Sequence, residues 1–146
     1  MATEPQVLTR FACFEDLSEN QLKAVAGISN SVCYMKDHVL FEEGEYGACL
    51  YLLIDGDVEV FFQSPITGEL KVDSMCSEEV LGCAALAPPY RYTATQKCLS
   101  DVEVLEIQMD ELRDLIEQDP DIGLKLQQYI IKILTNRILT IREKFL

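Results

Sequence analysis

A loop-rich segment in the middle of the chain carries residue types that suit binding of a small molecule. It starts with the small residues Gly82-Cys83-Ala84-Ala85, bends at Pro88-Pro89 and enters a β-branched run that reaches Thr95. Small side chains let backbone amides approach a ligand closely, as in glycine-rich loops that hold anions, although a tight structural corner needs them too. The candidate ligand-binding residues are Gly82, Cys83, Ala84, Ala85, Arg91, Tyr92, Thr93, Ala94 and Thr95.

The residue types that catalysis or metal binding requires are not clustered in this sequence. A metal-dependent barrel enzyme needs several His and carboxylate ligands, but the sequence has one histidine, His38, which we predict to be exposed at a strand edge. Cys83 has no identifiable base to activate it as a nucleophile, and the acid pairs Glu42-Glu43 and Glu78-Glu79 are typical of solvated turns. The sequence therefore predicts a protein that is not an enzyme, with no catalytic residues and no metal site.

Composition limits the partners of the chain. Its 146 residues, 49% of them apolar, are enough for one buried core and favour a single domain. The formal net charge of −13 argues against nucleic acid, whose binding needs clustered Lys and Arg, and against anionic membrane surfaces.

Residues 1–5 do not resemble a signal peptide, and no apolar run reaches the roughly 18 residues of a membrane span. The six cysteines occur singly, which predicts small core residues in a reducing cytoplasm rather than disulfides.

Sequence periodicity predicts the elements that position the candidate residues. Ser18 and Gln21 form a capping box for a short helix that ends near Gly27. From Ser31 to Gln108, short β-rich runs alternate with turn signals, a spacing typical of a barrel, roll or sandwich. The predicted strands are Val32–Met35, Val39–Phe41, Cys49–Ile54, Val58–Phe62, Leu70–Met75, Thr93–Cys98 and Val102–Ile107.

Two helices are predicted to follow the β-rich region. Asp110 is expected to cap the first, and Asp119-Pro120 to begin the second, which runs to about Lys144. The second helix carries two apolar stripes, one of which is placed to pack on the β-rich region and consists of Leu126, Ile130 and Ile133. The other repeats by three and four residues, as the a and d positions of a coiled coil do. This stripe, the seam, consists of Ile131, Leu134, Ile138, Ile141 and Phe145.

The seam predicts a homodimer formed through the C-terminal helix. One apolar stripe is enough to dock a helix on its own domain, so a second stripe requires another partner. Burying each of its large side chains is worth roughly 1.5–3 kcal/mol, which is comparable in total with an association cost of about 4–15 kcal/mol. In the alternative arrangement, both stripes are buried within one chain.

The order of elements and several motifs resemble the cyclic-nucleotide-binding domain of catabolite-activator-type regulators, kinase regulatory subunits and gated channels. The glycine spacing in the β-rich region and parts of a phosphate cassette carry this resemblance, which spans nearly the whole chain. The matching residues are Phe14, Leu17-Ser18, Leu22, Leu40–Glu45, Leu50–Val60, Leu81-Gly82, Ala85-Leu86, Ala94-Thr95 and Asp101–Ile107.

The resemblance implies a mainly β fold with flanking helices. We expect an antiparallel β-roll (jelly-roll-like, a double-stranded β-helix) with an N-terminal helix, a short cassette helix and a long C-terminal helix. Residues 1–146 are expected to form one domain, with an N-terminal helical segment at 1–30, the β-roll at 31–108 and the C-terminal helices at 110–146. The helix-turn-helix that follows the long helix in regulators of this type has no counterpart before Leu146, so we expect no nucleic-acid binding by this chain alone.

The resemblance is specific for the fold but less specific for the ligand, because the cassette, residues 80–95, differs from the family pattern at its ligand contacts. The family pattern resembles Phe-Gly-Glu-x-Ala-Leu followed by Arg-x-Ala-Ser/Thr, in which Glu binds the ribose 2′-hydroxyl and Arg pairs with the cyclic phosphate. Cys83 stands at the Glu position and Tyr92 at the Arg position. Arg91 lies one residue earlier and would point to the opposite face of a regular strand, unless a bulge after Pro88-Pro89 turns it inward. We therefore expect cyclic AMP and cyclic GMP to bind weakly or not at all.

Two functions remain open at this stage. In the first, the chain is a non-catalytic regulatory module in which a cyclic nucleotide or another small molecule binds the cassette and biases two conformations of the terminal helices. In the second, the chain is a scaffold or protein-interaction domain that acts through dimerisation of its C-terminal helix, and its pocket is vestigial. Neither function needs a metal or a permanently bound cofactor, and both are expected in the cytoplasm.

Overall fold

The computed structural model describes residues 3–146, apart from the side chain of Phe145. Within this range the chain forms two four-stranded sheets with helices before and after them. The strands are β1 (Ser29–Tyr34), β2 (Val39–Phe41), β3 (Cys49–Asp55), β4 (Val58–Ser64), β5 (Gly68–Met75), β6 (Val80–Leu81), β7 (Thr95–Cys98) and β8 (Val102–Gln108). The α-helices are α1 (Glu19–Gly27), α2 (Met109–Gln118) and α3 (Pro120–Phe145), and 3₁₀ helices span Pro5–Arg10 and Cys83–Leu86.

The two sheets form the predicted antiparallel β-roll. Their strand orders are β1-β8-β3-β6 and β2-β7-β4-β5, and neighbouring strands are antiparallel. Strand β3 lies between β8 and β6, and its residues from Leu50 to Ile54 are all buried. This position explains why β3 is a continuous apolar run, while strand β5 at the edge of the other sheet is exposed along most of its length. Strand β6 has only two residues and was not predicted, because so short a run has no readable period.

The N-terminal capping box is present as predicted. The Gln21 backbone N–H donates to Ser18 Oγ at 3.2 Å, and the Ser18 N–H donates to Gln21 Oε1 at 2.9 Å. The Gln21 side-chain amide also donates to the carboxylates of Asp119 and Asp121, at 3.1 and 2.9 Å. The same residue thus closes the start of α1 and joins it to the start of α3.

The predictions for the two C-terminal helix starts need correction. Asp110 is not the cap of α2, because the helix begins at Met109 and Gln108 occupies the cap position. Met109 is buried and its N–H donates to Ala48 O at 2.9 Å, so the helix starts directly from β8. Asp119 and Pro120 do begin α3, but the Asp119 side chain accepts from Gln21 and makes no capping bond.

The burial of His38 and of the cysteines agrees only in part with the predictions. His38 is exposed as predicted, and its ring stacks on Tyr34 with centroids 4.3 Å apart. Cys13 and Cys98 are buried, but Cys33 and Cys76 are exposed, so the prediction of core cysteines is wrong at these two positions. Within the described residues, none of the helices combines the length and the hydropathy that a membrane crossing requires.

We expect Ser18→Ala to lower the free energy of unfolding by about 1 kcal/mol, because it leaves a helix N–H without its cap. Urea denaturation followed by circular dichroism measures this change. Ser18→Asp retains an acceptor at the cap and serves as the matched control. Equal stability of Ser18→Ala and wild type would contradict a role for the capping box.

Candidate functional site

A cavity of about 840 Å³ lies between the cassette, the inner face of the roll and helix α3. It brings together six of the nine predicted ligand-binding residues, while the other three lie outside its lining. The six lining residues are Gly82, Cys83, Ala84, Tyr92, Thr93 and Ala94.

The three predicted residues outside the lining have structural contacts instead. Ala85 is fully buried, and Thr95 is 4% exposed with its hydroxyl accepting from the Glu43 N–H at 2.9 Å. Arg91 is exposed and donates from Nη1 to Gly44 O at 3.0 Å. The predicted strand Thr93–Cys98 begins only at Thr95, so the chain bends at residues 93–94 as it enters β7.

Backbone pairing decides which of the neighbouring residues Arg91 and Tyr92 faces the cavity. The N–H of Tyr92 donates to Glu45 O at 2.9 Å, and its carbonyl accepts from the Gly44 N–H at 2.8 Å. The Tyr90 carbonyl accepts from the Gly47 N–H. Arg91 itself forms an antiparallel bridge with Tyr46, and neighbouring side chains in a segment paired in this way point in opposite directions. The bulge that would turn Arg91 inward is therefore absent, and Tyr92 is the inward residue.

The loop that pairs with Tyr90 and Tyr92 packs directly against the cassette helix. A Cβ atom added at Gly47 would lie 2.7 Å from the Ala85 Cα and 3.3 Å from the Tyr90 carbonyl oxygen. Only glycine leaves room for this approach. Gly47 therefore fixes the distance between the loop and the cassette.

Tyr92 completes the edge of β3 where β6 ends. Gly82 follows β6 with φ +82°, a left-handed conformation that turns the chain away after two paired residues. Beyond this point the Tyr92 hydroxyl makes the hydrogen bonds that a neighbouring strand would make. It donates to Cys49 O at 2.6 Å and accepts from the Cys49 N–H at 3.2 Å. Both polar groups of Cys49 on this side are thereby paired.

The Tyr92 ring belongs to an aromatic layer inside the roll. It is 5% exposed and stacks on Phe41 with ring centroids 3.9 Å apart and planes inclined by 19°. Phe41 in turn stacks on Tyr51 at 5.8 Å. Burial raises the pKa of the Tyr92 hydroxyl above its ordinary value, so the ring is neutral at physiological pH. An uncharged aromatic surface thus occupies the position where the family resemblance implies an arginine.

Cys83 lies where the resemblance implies a carboxylate, and it is also uncharged. Burial raises the pKa of its thiol to about 11, against a smaller lowering by the charge of Arg137. The Sγ atom lies 3.9 Å from Val80 O, a long distance for the weak S–H donor. A neutral thiol is a poor acceptor for a sugar hydroxyl, so the contact implied for Glu is not reproduced.

Two arginines from the C-terminal helices line the cavity but were not predicted. Arg113 of α2 donates to Ala85 O at 3.2 Å, and its guanidinium lies 4.8 Å from the centre of the Tyr90 ring. Arg137 of α3 lies 3.6 Å from Asp73 Oδ2 and donates to Met75 Sδ at 3.0 Å. Both residues looked like ordinary solvent-facing helix residues, and no local signal distinguishes them.

Gln96 is a further lining residue that the sequence analysis missed. It lies on β7 and is 8% exposed. A sequence signal was available, because Tyr92, Ala94, Gln96 and Cys98 occupy alternate positions of one β-rich run and Gln96 is the polar amide among them.

The chain belongs to the cyclic nucleotide-binding domain family, whose sequence profile matches residues 31–119. A CRP-like cAMP-activated global transcriptional regulator of Mycobacterium tuberculosis is 23% identical over 133 residues, which cover 91% of this chain and 58% of that protein. The chain therefore spans little more than half the length of this curated relative.

Solved structures agree with this assignment. A Geobacter metallireducens protein provisionally named a cyclic nucleotide-binding protein has a TM-score of 0.81 at 28% identity, covering 92% of this chain and 98% of that one. The N-terminal domain of a transcriptional regulator from Streptomyces coelicolor has a TM-score of 0.74 at 25% identity, covering 90% and 94%. The expected β-roll and its family are thus confirmed.

We expect Tyr92→Phe to lower the free energy of unfolding by about 1–3 kcal/mol, because it leaves the N–H and carbonyl of Cys49 without partners. Urea denaturation measures the change. Tyr46→Phe is the matched control, since that ring is 53% exposed and its hydroxyl is free of such a role. Equal effects of the two substitutions would show that the Tyr92 hydroxyl does not support the cassette.

Proposed function

We propose that this chain is a non-catalytic regulatory module that senses a small molecule in the cavity beneath α3 and does not bind cyclic nucleotides tightly. Family membership supports the regulatory role. One observation carries the ligand part of the proposal: Tyr92, and no arginine, is the residue that faces the cavity from the end of the cassette. The cytoplasmic location inferred from cysteine usage remains a prediction.

The charges around the cavity do not favour a cyclic phosphate. Among the described lining residues, the cations are Arg113 and Arg137, which already contact Ala85 O and Asp73. Arg91 points away and is held by Gly44 O. The cassette itself offers no inward cation, so a phosphate placed against it would lose solvation without an ion pair from the cassette, which is unfavourable. The net charge of −13 adds a repulsive field toward any anion.

Helix α3 connects the cavity to the rest of the proposed mechanism. Leu126 is buried and Ile130 packs against the core, while Ile131 and Leu134 line the cavity near its mouth. Farther along, the Arg137 contacts to Asp73 and Met75 hold the helix against β5. A ligand between the roll and α3 would have one affinity for the conformation in which α3 lies against the roll and another for a conformation in which α3 has moved away. Such differential binding is what biases two conformations that already exist.

Calorimetry with cyclic AMP and cyclic GMP tests the ligand proposal. We expect neither nucleotide to reach submicromolar affinity with the wild-type chain. The double variant Cys83→Glu, Tyr92→Arg restores the residue types of the family pattern. Because Tyr92→Arg also removes the hydroxyl contacts to Cys49, circular dichroism first establishes that the variant is folded. The folded variant should bind cyclic AMP at least tenfold more tightly than wild type, since a charge-assisted hydrogen bond is worth about 1.5–3 kcal/mol.

Arg91→Ala is the control for this experiment, and it should leave the nucleotide affinity unchanged because Arg91 lies outside the cavity lining. Submicromolar binding by wild type, or its loss on Arg91→Ala, would contradict the proposal.

We also propose that the chain forms a homodimer through the seam on α3. The described seam residues Ile131, Leu134, Ile138 and Ile141 are 63%, 53%, 67% and 55% exposed. The alternative arrangement, in which both stripes are buried within one chain, is therefore wrong. Phe145 was also assigned to the seam, but its side chain lies outside the described part of the structure.

The exposed stripe is longer than the sequence analysis predicted. Leu124, one heptad before Ile131, is 53% exposed. Because the stripe passes the cavity mouth at Ile131 and Leu134, a paired helix there would cover the cavity as well. The same stripe supports the second candidate function, a scaffold or protein-interaction domain whose pocket is vestigial.

Light scattering tests the dimer. We expect wild type to be dimeric at micromolar concentration, and Leu134→Glu with Ile138→Glu to give a folded monomer, because four charges would be buried in each helix pair. Asn136→Glu with Leu139→Glu adds the same charge on a different side of α3 and should remain dimeric. A monomeric wild-type protein would show that the seam does not pair.

A further inference from the structure

The cavity beneath α3 has the size and lining of a binding site for a small organic molecule. Its volume of about 840 Å³ lies within the range of roughly 300–1,000 Å³ that such ligands occupy. Most of its lining side chains are apolar, and they come from the roll, the cassette and both C-terminal helices. One wall is formed by the stacked rings of Phe41 and Tyr92. This wall suits a flat or bulky apolar ligand.

Gln96 is the unusual polar residue in this lining. It is 8% exposed, and among the described residues its Oε1 is the single buried side-chain N or O atom without a hydrogen-bond partner. Buried polar groups in folded proteins are almost always paired, because an unpaired one has lost its hydrogen bonds to water. Gln96 lines the cavity while its Oε1 is covered, so this orphan acceptor points to a donor from outside the chain that it meets once the amide turns toward the cavity.

Strand pairing places Gln96 beside the aromatic wall. Gln96 is the Cα partner of Phe41 on β2 and of Val60 on β4. Directly paired residues on neighbouring strands project from the same face of a sheet, and both partners are buried. The terminal torsion of a glutamine side chain has a broad minimum, so the amide oxygen is able to turn toward a ligand on this wall.

We propose that the cavity binds an uncharged, mainly aromatic molecule that carries an N–H or O–H donor, and that this donor bonds to Gln96 Oε1. This inference rests on the proposed function and names its ligand class. The ligand is uncharged because Tyr92 and Cys83 present neutral groups on the cassette, the net charge of −13 repels anions, and Arg113 and Arg137 in the lining disfavour a cation. It is aromatic because the Phe41–Tyr92 wall favours stacked or edge-on rings.

Indole and 1-methylindole are matched probes for this donor. Both are flat, neutral aromatic molecules, and methylation removes the one N–H donor of indole. We expect wild type to bind indole about tenfold more tightly than 1-methylindole, by calorimetry or ligand-observed NMR. In Gln96→Met, which has a similar length but no amide, the affinity ratio should fall to about one. Gln63→Met changes an exposed glutamine on β4 that lies outside the cavity lining and should retain the wild-type ratio.

A second measurement separates the orphan amide from a general role in packing. Without ligand, Gln96→Met should have a higher melting temperature than wild type, because it replaces an unpaired buried amide by an apolar side chain. A lower melting temperature would show that Gln96 stabilises the fold through contacts of its own and would overturn the proposal.

Three results in the binding experiment overturn this inference: no binding of either probe, equal binding of both, or the same ratio in wild type and Gln96→Met. Calorimetry with cyclic AMP on the same protein distinguishes the two proposals. Submicromolar binding of cyclic AMP contradicts the proposed function and this inference together. Absence of tight cyclic AMP binding, combined with equal affinity for the two indoles, overturns only the inference about the ligand class.

Discussion

The pairing between the Tyr92 hydroxyl and the backbone of Cys49 is the contact on which the candidate site depends. Strand β6 covers the edge of β3 for two residues and then turns away at Gly82. The next stretch of that edge is closed by a side chain that returns from the far end of the cassette. Because the same ring stacks on Phe41, the cassette, the sheet edge and the core of the roll are held together at one point.

This contact also shows how the fold accommodates a tyrosine at the position where the resemblance implies an arginine. An inward arginine would need a counter-charge in the cavity, whereas an inward tyrosine is satisfied by two backbone groups and an aromatic neighbour. The inward residue Tyr92 is thus part of the protein's own packing. Its neutral ring and the neutral thiol of Cys83 leave an apolar surface where the resemblance implies a charged one.

Helix α3 has two apolar sides with different environments. Ile122 and Leu126 are buried against the rest of the chain, while the seam residues are more than half exposed. Residues near the boundary between the two sides, including Ile131 and Leu134, line the cavity. In the proposed mechanism, ligand binding in the cavity and pairing of the helix would therefore involve the same residues, Ile131 and Leu134.

Local patterns in the sequence were sufficient for the parts of the protein that depend on near neighbours. The capping box of Ser18 and Gln21, the start of α3 at Pro120 and most strand positions were predictable, because each rests on residues within a few positions of one another. The family resemblance was predictable because short motifs of this kind occur in the family's order along nearly the whole chain. Asp110 was misassigned because a tertiary contact, from the Met109 N–H to Ala48 O, fixes the start of α2.

Tertiary structure alone decided the character of the cavity. Whether Arg91 or Tyr92 points inward depends on pairing with the loop from Gly44 to Gly47, which is distant in sequence. Likewise, Gln96 on β7, Arg113 on α2 and Arg137 on α3 meet only because the helices fold back over the roll. Periodicity shows which side of an element a residue occupies. It carries no information on which other element will face that side, and that facing element determines whether a polar group is paired, buried or left available for a ligand.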